Sequence, residues 1–229
     1  MKIYNNIEIT DLALKYRDHL IIADLHIGLE EALNKQGILI PRFQFSELKK
    51  RLQSLLTNKI KTVVINGDLK HEFGTISEQE WRHTLQILDL CLENNRKVIL
   101  IQGNHDTILG PIAQKKNLEI LEKYEIDNLA IIHGNKIIET KNPILIIGHE
   151  HSAVKIKDSV RNEVFKCFLK GKYKKATLIV QPSFDLVSVG SNILTEKILS
   201  PYISNIENFE VFVTEENKVY NFGKVSNLK

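Results

Sequence analysis

Five short apolar runs in this chain all end in acidic, amide or imidazole side chains. Residues 20–23 lead into Asp24-Leu25-His26, and residues 62–65 into Asn66-Gly67-Asp68. Residues 98–101 lead into Gln102 and then Gly103-Asn104-His105-Asp106. Residues 129–132 precede His133-Gly134, and residues 144–147 precede Gly148-His149-Glu150-His151. Runs this short, rich in Ile, Val and Leu, suit buried strands better than helices. Helical periodicity fills two of the intervals, roughly residues 44–56 and 77–92. The second opens on Ser77-Glu78-Gln79-Glu80, a capping-box pattern in which Ser77 and Glu80 can satisfy N-terminal amides. Strands alternating with helices predict parallel βαβ units.

Later segments at 153–157, 164–170 and 176–181 alternate as an antiparallel sheet would, and 209–213 with 219–222 read as a hairpin joined by 214–218. Repeats, low-complexity stretches and linkers are absent from the sequence. The expectation is one α/β domain spanning residues 1–229, with two packed sheets and outer helices. The 43% hydrophobic content is sufficient for its core. Cys91 and Cys167 fall in helical and strand patterns and lack a CxxC partner, so both are expected to be buried thiols. The first ten residues, MKIYNNIEIT, lack an apolar signal core, and no run approaches the ~20 residues of a membrane span. A soluble, cytoplasmic chain without a membrane partner is expected.

Ligands of α/β sheets bind outside the carboxyl ends of strands. Asp24, His26, Asp68, Asn104, His105, Asp106, His133, His149 and His151 could therefore share one crevice, which would hold five of the eight histidines. Taken singly, each aspartate could be a turn or helix cap and His133 a satisfied strand-end residue. Independent caps would not select five imidazoles. Imidazole, carboxylate and amide donors suit borderline divalent metals such as Mn, Fe, Co, Ni or Zn, and the lack of cysteine argues against a structural thiolate zinc site. Seven donors exceed what one ion needs. Two ions ~3.5–4 Å apart sharing a carboxylate would use them, and such pairs clamp the oxygens of a phosphoryl displacement. A net charge of +3 permits a phosphate-bearing substrate.

The five motifs, DLH, GD, GNHD, HG and GHEH, resemble in kind and order those of the calcineurin-like metallophosphoesterases. ADLHIGLEEALNKQGILIP, GDLKHEFG and GHEH further resemble an archaeal phosphoesterase subgroup related to the SbcD nuclease branch. The resemblance implies a four-layer sandwich of two mixed β-sheets flanked by helices. It implies two divalent metal ions, Mn²⁺ foremost, with Asp24, His26 and His151 on one, Asn104, His133 and His149 on the other, and Asp68 bridging both. A metal-bridging hydroxide would attack phosphorus in line. His105 would stabilise charge or protonate the leaving oxygen, with Asp106 orienting its ring. The expected function is a dinuclear phosphoesterase, favouring phosphodiesters, whose substrate could be a nucleotide or nucleic acid. A DNA-repair nuclease related to SbcD and a non-catalytic scaffold are the alternatives. The stretch after His151 is short beside full nucleases of that branch, which weakens a direct transfer of double-strand-break processing.

Outside the motifs, Lys70, His71 and Glu72 could touch substrate phosphate or serve the loop structurally. Lys166, Lys170, Lys172, Lys174 and Lys175 read as a solvated, lysine-guarded hairpin edge more readily than as a nucleic-acid groove. Gln102, Asn135 and Ser152 stand where the subgroup commonly has Arg, His and Pro.

Overall fold

The computed structural model describes residues 1–41, 43–74, 76–157, 162–215 and 218–228. Seven strands form the first sheet in chain order: Lys2–Tyr4, Ile7–Thr10, Ala13–Tyr16, His19–Ile22, Thr62–Asn66, Lys97–Ile101 and Ile120–Leu121. The first four run antiparallel, and from His19–Ile22 onward the pairing is parallel. The N-terminal meander turns at Asn5, Asp11 and Arg17, all at positive φ, which suits tight hairpins.

The second sheet is also mixed. Leu129–Ile132, Ile144–Ile147 and Ala176–Val180 are parallel neighbours. The long strand Asn162–Tyr173 runs antiparallel beside Ala176–Val180, pairs with Ser152–Lys157 through its first half, and carries the Glu210–Glu215 and Lys218–Lys224 ribbon. The expected hairpin therefore forms, and residues 216 and 217 of its connection lie outside the described residues.

Side-chain alternation along the strands accounts for the layers. Ile21, Val64, Ile99 and Ile101 face Leu129, Ile131, Ile146, Phe168 and Ile179 between the sheets. The opposite face of the first sheet, with Leu20, Ile22, Val63, Ile65 and Leu100, is covered by helices Gln44–Leu55 and Glu78–Leu92 through Leu48, Leu52, Ile87, Leu88 and Cys91. The outer face of the second sheet packs on Ile193, Tyr202, Ile203 and Phe209. Two mixed sheets flanked by helices are thus present, as expected. Cys91 and Cys167 are buried and free. Among the described residues, no helix is long and apolar enough to cross a membrane.

One half of the expected capping box forms. Ser77 Oγ accepts from Glu80 N at 3.0 Å. The Glu80 carboxylate, however, turns away from the helix, and its Oε1 accepts from His71 N (2.9 Å) and Glu72 N (3.0 Å). It fastens the loop behind Asp68 to the helix.

Candidate metal centre

Hydrogen bonds between strand ends draw the motif loops of both sheets together. Asp24 N donates to Gly67 O (3.2 Å), His26 N to Asp68 O (2.9 Å) and Gly148 N to His133 O (2.9 Å). Phe184 N reaches across to Ala23 O at 2.8 Å. Asp24, His26, Asp68, His149 and His151 all take positive φ, between 44° and 64°. Backbone held in this region costs about 1–3 kcal/mol per residue and clusters at functional sites. Asp and His tolerate it better than bulkier residues.

Close approach explains two glycines. A Cβ at Gly103 would lie 2.1 Å from Asp68 Oδ1, and one at Gly67 2.1 Å from His133 Nδ1. Gly103 is not at positive φ, so its place in GNHD is set by the carboxylate against it rather than by the turn.

The donors fall into overlapping groups whose ligand atoms lie within 4.8 Å of one another: Asp24, His26, Asp68 and His151 in one; Asp68, His133 and His149 in another. Asp68 belongs to both. His26 Nε2 lies 3.1 Å from His151 Nε2 and 3.8 Å from Asp68 Oδ2. His133 Nε2 lies 3.5 Å from Asp68 Oδ2 and 3.0 Å from Asn104 Oδ1, which brings the amide into the second group. Asp24 Oδ2 accepts from His149 N at 2.9 Å. Its Oδ1 is buried without a hydrogen-bond donor among the described residues, and the His133 and His151 rings stand 3.6 Å away. An orphaned carboxylate oxygen ringed by imidazole nitrogens suits a cation. The donor set therefore fits divalent metals.

Electrostatics agree with that fit. Burial opposes charge on Asp68, but the hydrogen bond and charge of His133, the His26 ring and the N–H of His105 outweigh it and hold the carboxyl well below its usual range. Burial also opposes charge on His133, yet Asp68 and Asp24 lift it to about 9. His26 and His149 are pushed down to about 4, by burial first and then by their imidazole neighbours. Those two rings are neutral at ordinary pH, as a metal ligand must be.

His105 lies beside this cluster. Its backbone N–H donates to Asp68 Oδ1 (2.9 Å), and its Nε2 is 4.0 Å from Asp68 Oδ2. The expectation that Asp106 orients this ring is corrected. His105 Nδ1 donates instead to the carbonyl of His71 at 2.5 Å. Asp106 is buried and folds back, accepting from Gly103 N (3.0 Å) and Lys70 N (3.4 Å). It braces the turn that carries Asn104 and His105.

Of the loop after Asp68, Lys70 proves structural. It is fully buried, and its ammonium donates to the carbonyls of Glu72 and, at 2.5 Å, His105. His71 enters the site, because its ring forms a third donor group with His26 and His105. The sequence placed His71 only next to the motif; the parallel bridge between Ile27 and Lys70 that sets this loop against the Asp24–His26 segment joins residues distant in sequence. The lysine cluster does not stay together. Lys166 is half-buried and reaches Ser183 Oγ (2.8 Å) and Asp185 Oδ2 (3.2 Å), while Lys170 pairs with Glu210 at 3.0 Å. Asp185 was not singled out in the sequence. Its N–H donates to Asp24 O at 3.2 Å, tying the Lys166 pair to the site.

Known proteins resemble this chain in fold and, over part of its length, in sequence. The structure of the nuclease MPE of Pseudomonas putida is similar, with a TM-score of 0.64 at 20% identity, covering 93% of this chain and 92% of that one. The Yfce phosphoesterase of E. coli is a more distant likeness, with a TM-score of 0.43 and 15% identity over 92% of this chain and 99% of that one. In sequence, the chain is 27% identical over 126 residues to the DNA polymerase II small subunit of Methanocaldococcus jannaschii, a stretch that is 50% of this chain and 21% of that subunit. The profile of the calcineurin-like phosphoesterases matches residues 19–189, a span that contains all five motifs and every donor described above, and the chain belongs to that family.

Proposed function

We propose that this chain is a two-metal phosphodiesterase. One observation carries the reading: Asp68 is common to two donor groups, each otherwise built from imidazoles with a second carboxylate or an amide. Asp24, His26 and His151 would hold one divalent cation, Asn104, His133 and His149 the other, and Asp68 both. When bound, the pair would supply an activated water and positive charge against the phosphoryl oxygens. Nitrogen and oxygen donors without thiolate suit the borderline divalent metals as a class, and the family resemblance puts Mn²⁺ foremost among them.

His105 is suited to the leaving oxygen. Its Nδ1 is committed to the His71 carbonyl, so Nε2 is the atom left to carry a proton towards substrate. Diesters are favoured over monoesters on charge. The Lys70 and Lys166 ammonium groups are both held by contacts within the protein, and Gln102 is neutral, so neither lysine answers the extra charge of a monoester dianion. The proposed kinship with the SbcD-related branch rests on the likeness of ADLHIGLEEALNKQGILIP, GDLKHEFG and GHEH alone.

The test is a Mn²⁺-supplemented assay of the pure protein on bis-p-nitrophenyl phosphate, p-nitrophenyl phosphate and cyclic nucleotides. Turnover of the diester ahead of the monoester is expected. Preference for the monoester would reverse the substrate ranking. No turnover of any ester, with two ions verified as bound, would favour a scaffold.

A further inference from the structure

Phe73 has no place in the core and is 53% exposed, yet it is not on an incidental loop. Its ring centroid lies 3.8 Å from that of His105, inclined by 35°. The segment that presents it is fastened at every step. Glu80, itself buried, takes the N–H groups of His71 and Glu72. The buried Lys70 ammonium takes the carbonyl of Glu72, and Thr107 Oγ1 donates to the carbonyl of Phe73. A buried carboxylate and a buried lysine thus hold one apolar ring out in solvent at the rim of the metal centre.

We infer that Phe73 is a base-stacking platform, and that the substrate is a nucleic-acid strand with an unpaired base beside the scissile phosphate. This rests on the diesterase reading and names its substrate class. A phosphate lying against His105 would place a flanking nucleoside against the exposed part of the Phe73 ring. Every nucleobase has a π-face, so stacking recognises nucleotides without selecting sequence, and a fixed platform loses little freedom on binding. Bases inside a duplex are already stacked, so single strands, ends and loops are the forms that can use it.

The experiment compares oligothymidylate with an oligomer of equal length made of abasic residues, so that phosphates and charge are the same. In wild-type protein with Mn²⁺, kcat/KM should favour the base-bearing strand by about 5- to 100-fold, the range of one base–aromatic stack. Phe73→Ala and Phe73→Leu should bring that ratio towards one, chiefly through KM, and Phe73→Trp should keep it. Fluorescence anisotropy in EDTA, on variants checked for folding by thermal melts, should show the same preference in Kd without metal. A wild-type ratio near one, or a ratio that survives in Phe73→Ala and Phe73→Leu, overturns the platform. Turnover of bis-p-nitrophenyl phosphate with neither cleavage of the oligomers nor a base preference in anisotropy also overturns it, while the diesterase reading stands. If no diester is turned over, that reading fails, and the metal-free binding preference alone decides the role of Phe73.

Discussion

The Nε2 atoms of His26 and His151 face each other at 3.1 Å across 125 residues of sequence. Two imidazole lone pairs repel at that distance unless a proton or a cation lies between them. Here the neighbours are the carboxylates of Asp24 and Asp68. A divalent ion would resolve the contact more fully than one shared proton, since it would satisfy all four groups. His26→Ala and His151→Ala should therefore each deplete the same Mn²⁺, and the double variant should bind little worse than either single one, because the effects belong to one site. Elemental analysis with calorimetric titration would show this. Two ions retained at full stoichiometry in either variant would remove that residue from the ligand set.

Metal binding should release protons. His133 is lifted to about 9 in the metal-free protein, whereas His26 and His149 sit at about 4. Between those values His133 is protonated, and a metal must displace that proton. Apparent Mn²⁺ affinity at the His133 site should thus rise about tenfold per pH unit up to about pH 9, and flatten above it. Titration calorimetry at pH 7 in buffers of differing ionisation heat would count the proton. Binding without proton release would mean that His133 is already neutral.

Gly103→Ala should be severe although alanine suits the backbone there. The added Cβ would meet Asp68 Oδ1 at 2.1 Å and Asp68 N at 2.3 Å, and a backbone atom cannot swing aside as a side chain can. Overpacking of this kind costs about 1–3 kcal/mol or more. A lowered Tm together with loss of both ions is expected, because Asp68 serves both groups. A stable variant binding two ions would show that the GNHD turn can shift as a unit.

Strand ends and donors were legible because the relevant signal is local: four apolar residues, then a polar one that the sheet need not bury. Contacts that depend on direction were not. Asp106 adjoins His105 in sequence, but the turn at residues 103–106 folds its carboxylate back on Gly103 N and away from the neighbouring ring. Lys166 looked like its solvated neighbours, and only the 181–188 segment, distant in sequence, supplies the Asp185 and Ser183 oxygens that hold it. The N-terminal meander escaped notice because its strands are three or four residues long and its turns use Asn5, Asp11 and Arg17 rather than glycine.

His105 and Asp106 should now separate in experiment. His105→Ala should keep both ions while turnover falls by ~10²–10⁴, the contribution of general acid–base catalysis. The loss should shrink for substrates with good leaving groups, which need little protonation. Asp106→Asn should behave differently. The amide cannot accept from both Gly103 N and Lys70 N as the carboxylate does, and a buried donor left without a partner costs about 1–3 kcal/mol. Its Tm should fall. The His105 ring, fixed by the carbonyl of His71, should stay in place, so turnover well below the new Tm should fall less than in His105→Ala. If His105→Ala loses an ion as readily as His149→Ala, His105 is a ligand. If the two variants at residues 105 and 106 share one kinetic phenotype with unchanged Tm, Asp106 acts on the ring during turnover, and the contact to His71 is not the one that matters.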